Sequence, residues 1–308
     1  MLKRIRTLSK LGVFIKSFSN TIKFIYTHPL NRDARTASVL RFFAWQTSQK
    51  LMPFPIVYLY TENTKLYLKK GLTSATGNLY CGLFELEELG FCLHFLRKED
   101  LFVDVGANIG AFTILASGEV GCSTIAFEPI PNTYNNLLGN VALNNLHNKV
   151  SCLNIGLSSS KGFSFFTNTL GAENHVINTQ LDNSIKIATD TLDNVLKDLH
   201  PAILKIDVEG FETEVLRGGI ETLQKSSLKV VIIELNGLGE RLGYSDLKIH
   251  EMFLDLGFLP YTYNPITRNL EEISKYMSNT IYIRDFDCVK NRIASAATFK
   301  IGPRMISL

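Results

Sequence analysis

The stretch Phe102-Val103-Asp104-Val105-Gly106-Ala107-Asn108-Ile109-Gly110-Ala111 limits what this chain can fold into more than any other segment. An apolar strand runs into a glycine turn and then into a helix starting at Ala111–Ala116. Gly106 can adopt a backbone conformation closed to other residues and lets a ligand approach the main chain, while Gly110 permits close packing of the helix. The N–H groups at the helix start favour a polar or anionic group. The spacing is G-x-x-x-G, without the G-x-G-x-x-G of dinucleotide sites, and an acid stands two places before the first glycine. That version suits a ligand with a cationic amine and no pyrophosphate, because Asp104 could meet the ammonium. The plainer reading is a tight turn in an unrelated α/β protein.

The rest of the chain supports an α/β class. Thr124–Phe127, Lys149–Ile155, Ile203–Ile206, Lys229–Leu235 and Thr280–Arg284 read as strands, and Thr133–Asn144, Glu212–Leu216 and Leu247–Leu256 as helices. Apolar strands alternating with amphipathic helices imply a mostly parallel sheet with helices on both faces. Phe163–Phe166 reads as part of an inserted hairpin, Val57–Tyr60 and Lys65–Leu68 as two short strands, and Glu85–Leu96 as a helix leading into the sheet. With 308 residues, the chain divides into an accessory helical and short-strand segment, 1–80, and a main domain, 81–308, whose motif-bearing core covers about 85–285.

Three further features carry chemistry. Glu128, at the end of the second strand and eighteen residues after Gly110, stands where an acid grips a ribose diol; otherwise it is a surface carboxylate before the Pro129 turn. Lys205, Asp207 and Glu209 alternate, so they share a face while the strand lasts, and Glu234 closes the next strand. Buried strands do not carry ionisable groups unless these pair or work. A Lys–Asp pair with capping carboxylates is the plain account, favoured for Glu209 and Glu212; Asp207 is read as functional. His175 lies in the polar insertion Gly171–Val176, where a loop could fold over a ligand, or could simply be solvated.

The net charge of +3 argues for no nucleic-acid partner. Ten of the basic residues fall within residues 1–50 against a lone acid, Asp33. Apolar residues recur at helical spacing through 2–26, and Ala34–Gln49 reads as a second helix. This is packing surface for the main domain, or a basic amphipathic surface that touches anionic membrane. Five cysteines without C-x-x-C spacing suggest a reducing compartment. With no long apolar run, the chain reads as cytoplasmic, with membrane association as the variant.

Asp104-Val105-Gly106-Ala107-Asn108-Ile109-Gly110, Phe127-Glu128-Pro129, Asn144-Asn145, Thr191-Leu192-Asp193, Lys205-Ile206-Asp207-Val208-Glu209-Gly210 and Ile233-Glu234 together resemble the FkbM family of S-adenosylmethionine-dependent methyltransferases. The resemblance covers about residues 85–285. It implies a Rossmann-like class I methyltransferase fold, a seven-stranded sheet with one antiparallel strand. It also implies S-adenosylmethionine as cofactor and O-methylation of a sugar hydroxyl or another small hydroxylated metabolite. Asp104, Gly106, Ala107, Asn108 and Gly110 would line the methionine end and Glu128 would hold the ribose. The catalytic set read here is Asp207 or His175 as base, with Lys205 beside them. Asp207, Glu209 and Glu234 could hold a hard cation, but the expectation is a site without metal. The rival readings are a nucleotide-dependent oxidoreductase, disfavoured by the missing glycine spacing, and a non-catalytic S-adenosylmethionine-binding or scaffold subunit of a glycan assembly system.

Overall fold

The computed structural model describes residues 18–167, 174–177 and 184–308. Residues 2–17 of the expected N-terminal helix, and Gly171–Glu173 of the insertion, lie outside them; residues 18–27 are helical.

Eight strands form the central sheet: β1 (Leu101–Val105), β2 (Ser123–Phe127), β3 (Val150–Leu153), β4 (Ile203–Ile206), β5 (Val230–Glu234), β6 (Leu259–Asn264), β7 (Asn269–Glu272) and β8 (Asn279–Ile283). Their spatial order is β7-β6-β8-β5-β4-β1-β2-β3. β1 to β5 are mutually parallel, and β8 runs antiparallel to β5 and β6. The implied seven-stranded sheet is therefore present, extended by the edge strand β7 that closes a hairpin with β6.

The alternation of each strand sorts the core into two layers. Phe102, Ile203, Val230, Ile232, Ile281 and Ile283 face one cluster. It is filled by α3 (Leu86–Phe95), α4 (Ala111–Ile114), α5 (Pro131–Leu143) and α8 (Phe286–Ala294). Val103, Val105, Leu204, Ile206, Val231, Ile233 and Tyr282 face the other, packed by α6 (Glu212–Arg217), α7 (Asp246–Asp255) and the short helices Leu192–Val195 and Ile220–Gln224. Each such large side chain contributes about 1.5–3 kcal/mol on burial, so both faces need their helices. The first layer continues into the N-terminal part. It takes in Phe42 and Trp45 of α1 (Arg35–Leu51), Tyr80 of α2 (Thr73–Cys81), and the antiparallel hairpin of Ile56–Leu59 with Lys65–Leu68.

Between β3 and β4 the chain inserts a small sheet. Gly162–Thr167 pairs antiparallel with Ser184–Asp190 and with Val176–Ile177, which accounts for the expected hairpin. No helix among the described residues is long and apolar enough to cross a membrane.

Candidate active site

The chain runs outward from β1 to β2 and β3, then returns to place β4 on the other side of β1. The loops leaving β1 and β4 thus diverge, opening a crevice at the carboxyl ends of the strands. A cavity of about 300 Å³ sits there, lined by Gly106 and Asn108 after β1, Glu128 to Ile130 after β2, Asp207 to Glu209 after β4 and Glu234 at the end of β5.

The Gly106 turn is required by its neighbour. Gly106 has φ +79°, and a Cβ there would lie 1.8 Å from the Asp207 carbonyl oxygen. The two loops therefore meet backbone to backbone. Gly110, at φ +90°, leaves room for Leu137 of α5, whose Cδ1 lies 2.5 Å from where a Cβ would stand.

Glu128 is buried at the cavity wall. Its Oε2 accepts the Asn108 N–H at 2.9 Å and its Oε1 accepts the Ile130 N–H at 2.9 Å. A carboxylate has about four lone-pair sites, so each oxygen can still accept from a ligand hydroxyl. Burial pushes its pKa up to about 7 despite these two bonds. Beyond it, Ile130, Phe166 and Val176 form an apolar wall within their own small cluster, a surface suited to a flat, weakly polar ring.

Asp104 does not reach the cavity wall. The sequence placed it at a ligand ammonium; the structure seats it beneath the floor, fully buried. Asp104 and Lys205 are direct cross-strand partners in the parallel β1–β4 pair, on the face covered by α3 and α4. The Thr113 hydroxyl donates to Asp104 Oδ2 at 2.6 Å, and the Lys205 ammonium stands 3.7 Å from Oδ1. Lys205 is itself buried, 3.1 Å from Asp207 Oδ2 and 3.4 Å from the Gly106 carbonyl. Ala107 and Gly110 likewise shape the turn without lining the cavity.

Asp207, Glu209 and Glu234 each bring a carboxylate oxygen within 4.8 Å of the others. Burial and then the charges of Asp207 and Glu209 push Glu234 up to about 8, so near neutrality it holds a proton. Such a trio can share a proton or hold a hard cation. Glu209 takes φ +55°, unusual outside glycine, a strain of the kind that collects at functional sites. Glu212 accepts the Gly210 N–H at 3.0 Å and the Val208 N–H at 3.3 Å, fixing this loop. That is the structural role expected of it.

Asn174 and Val176 line the cavity, and His175 between them does not. Its backbone is held by Thr167, whose N–H donates to the His175 carbonyl at 3.0 Å. The Thr191 hydroxyl accepts the Asn194 N–H at 3.1 Å, and Asp193 accepts the N–H groups of Glu221 and Thr222. These residues cap helices.

One cleft residue and an acid beside it on α3 escaped the sequence reading. Glu85 lines the cavity, and burial pushes it up to about 8 with Lys205 opposing. Glu88, one turn further along α3, is pushed up to about 7 by burial. Acids at a helix start read as dipole partners; only an apolar stripe on their side of the helix could have shown that this end is buried.

A family profile described as Methyltransferase FkbM domain matches residues 104–260, just over half of the chain. A hexuronic acid methyltransferase, AglP, of Haloferax volcanii is 34% identical over 155 residues, covering 49% of this chain and 62% of that protein. The methyltransferase sdnD of Sordaria araneosa is 31% identical over 159 residues, covering 40% and 61%. The chain thus spans about three-fifths of the length of these relatives. Among solved structures, a methyltransferase FkbM from Methylobacillus flagellatus KT aligns over 80% of this chain and 60% of its own, at 16% identity and a TM-score of 0.43.

Proposed function

Because the chain belongs to the FkbM methyltransferase family, we propose that it transfers a methyl group from S-adenosylmethionine to a hydroxyl of a sugar or another small hydroxylated molecule. The observation that carries this is the joining, in one crevice, of a ribose-type acceptor, an apolar slot and an acidic cluster. Glu128 would hold the ribose diol with its remaining lone pairs. Ile130, Phe166 and Val176 would flank the adenine. The backbone of the Gly106–Asn108 turn would face the amino-acid end, with Asp104 and Lys205 fixing that turn from below. The name of the Haloferax volcanii relative supports a sugar as acceptor.

When bound, S-adenosylmethionine supplies an electrophilic methyl on a sulfonium. The protein then has to align the acceptor oxygen and take its proton. Asp207 is the better placed base: it lines the cavity, whereas His175 does not. Lys205 orients Asp207 from 3.1 Å.

The test is formation of S-adenosylhomocysteine with a panel of neutral and acidic sugars. Asp207→Asn should lower turnover by roughly 10²–10⁴-fold with S-adenosylhomocysteine affinity kept within a few-fold, and His175→Ala should leave turnover near wild type. Tight cofactor binding without turnover on any acceptor would favour the binding-subunit reading. Equal activity of Asp207→Asn and wild type would remove Asp207 as base.

A further inference from the structure

A second cavity, of about 780 Å³, lies between the helical residues 18–27, α1 and α2. Its chemistry is the reverse of the cleft's. The cleft is lined by five carboxyl groups; among the described residues the groove is lined by aromatic rings and by no acid, with Lys50 the single ionised side chain. Phe18, Phe24 and Phe43 stay 39%, 41% and 45% exposed along it. Partly exposed aromatic rings gathered along one groove mark a surface suited to being covered.

The groove and the cleft share one wall residue. Phe84 lines both cavities. Its ring meets Phe24 at a centroid distance of 5.3 Å on the groove side. It is seated on Gly77, where a Cβ would stand 2.4 Å from its Cδ2, so the partition has a fixed position. The next residue, Glu85, already belongs to the cleft. The walls of the two cavities therefore meet at the Phe84–Glu85 step.

We propose that the groove holds the hydrocarbon tail of an amphiphilic methyl acceptor whose hydroxylated head lies in the cleft. This deepens the methyl-transfer reading and rests on it. The aromatic wall, free of acids among the described residues, selects an apolar chain, and the shared Phe84 wall is where tail and head would meet.

The probes are methyl, octyl and dodecyl glucoside, each below its micelle concentration, titrated calorimetrically into the full chain. Burial of methylenes should tighten binding by roughly threefold to fourfold for each methylene covered. Phe43→Asp, which charges the groove, and Thr47→Trp, which fills it, should both remove the dependence on chain length. Affinity for S-adenosylhomocysteine, measured on the same samples, should be unchanged in both variants, which also shows that they fold. Affinity independent of chain length would overturn the proposal, as would chain-length dependence that survives both variants. Binding to phosphatidylglycerol vesicles with no preference among the monomeric glucosides would also overturn it, by making this face a membrane contact. Loss of S-adenosylhomocysteine binding by the wild-type chain would instead defeat the methyl-transfer reading.

Discussion

Glu128→Gln separates a ligand contact from a structural one. In the wild type both carboxylate oxygens accept backbone N–H groups, from Asn108 and Ile130, at 2.9 Å. Glutamine keeps one acceptor and presents an NH2 to the other N–H. One buried donor therefore loses its partner, at a cost of about 1–3 kcal/mol in stability. Above pH 7 that loss is partly offset, because the variant no longer buries a charge. The ligand effect is separate. A ribose diol that loses a charged acceptor gives up about 1.5–3 kcal/mol, roughly a 10- to 160-fold weaker Kd. The wild type should also show a pH dependence. With the Glu128 carboxyl held at about 7, about a tenth is ionised at pH 6 and about nine-tenths at pH 8. A ligand that needs the ionised form should bind about tenfold more tightly at pH 8. Calorimetric titration of S-adenosylhomocysteine at both pH values reads both effects. Glu85 and Glu234 titrate nearby, so the relevant quantity is the tenfold component present in the wild type and absent from the variant. Equal affinities for the two proteins at pH 8, or equal pH slopes, would refute the role given to Glu128.

Gly106→Ala should destabilise the chain by more than about 2 kcal/mol and abolish S-adenosylhomocysteine binding, since it adds a left-handed penalty to a backbone clash at 1.8 Å. Gly139→Ala, in α5 with only Tyr67 nearby at 3.7 Å, should instead raise stability by about 0.5–1 kcal/mol; urea titration measures both, and similar outcomes would sink the argument from local space. Lys205→Met should cost about 3–5 kcal/mol, because it leaves Asp104 buried without its cation, and adding Asp104→Asn should recover part of that loss. Stability should also depend on pH. Burial pushes Glu85 and Glu234 up to about 8, and Glu88, Glu128 and Glu212 up to about 7. Between the ordinary carboxyl range and pH 8 the folded chain thus holds protons that the unfolded chain has released, and stability falls as pH rises. His28 and His94, held down to about 4 by burial, act in the opposite sense below about pH 6.5. The melting temperature should therefore fall from pH 6.5 to 8.5, and a rise across that range would contradict the buried-acid account.

The strands that bear the motifs were legible because their chemistry is local. Apolar runs ending in Gly106, Glu128, Asp207 and Glu234 announce both a buried strand and its carboxyl edge. β6 was not legible: Pro260 is its second residue, and proline argues against an interior strand. It is tolerated because its carbonyl, which accepts the Ile273 N–H at 3.0 Å, and hence its missing N–H face the β7 side, where regular pairing begins only at Tyr261, while on the β8 side it stands opposite Tyr282. The place of Asp104 was also hidden. Sequence gives its face of the strand, but not that Lys205 is its direct neighbour in the parallel pair. Glu85 and Phe84 depend on how the segment before β1 folds back onto the sheet, and no periodicity encodes that.

The contact between Gly106 and the Asp207 carbonyl bears on how such a scaffold can diversify. It ties the loop after β1 to the loop after β4 at van der Waals distance, so neither can lengthen or gain a side chain there without displacing the other. Among the described residues, the insertion between β3 and β4 and the Phe84 segment show no such tie to that turn, yet both wall the same cavity. On the methyl-transfer reading, new acceptors would be accommodated by exchanging those two walls while the Gly106–Asp207 contact stays, and grafts within the insertion are the natural place to redirect specificity.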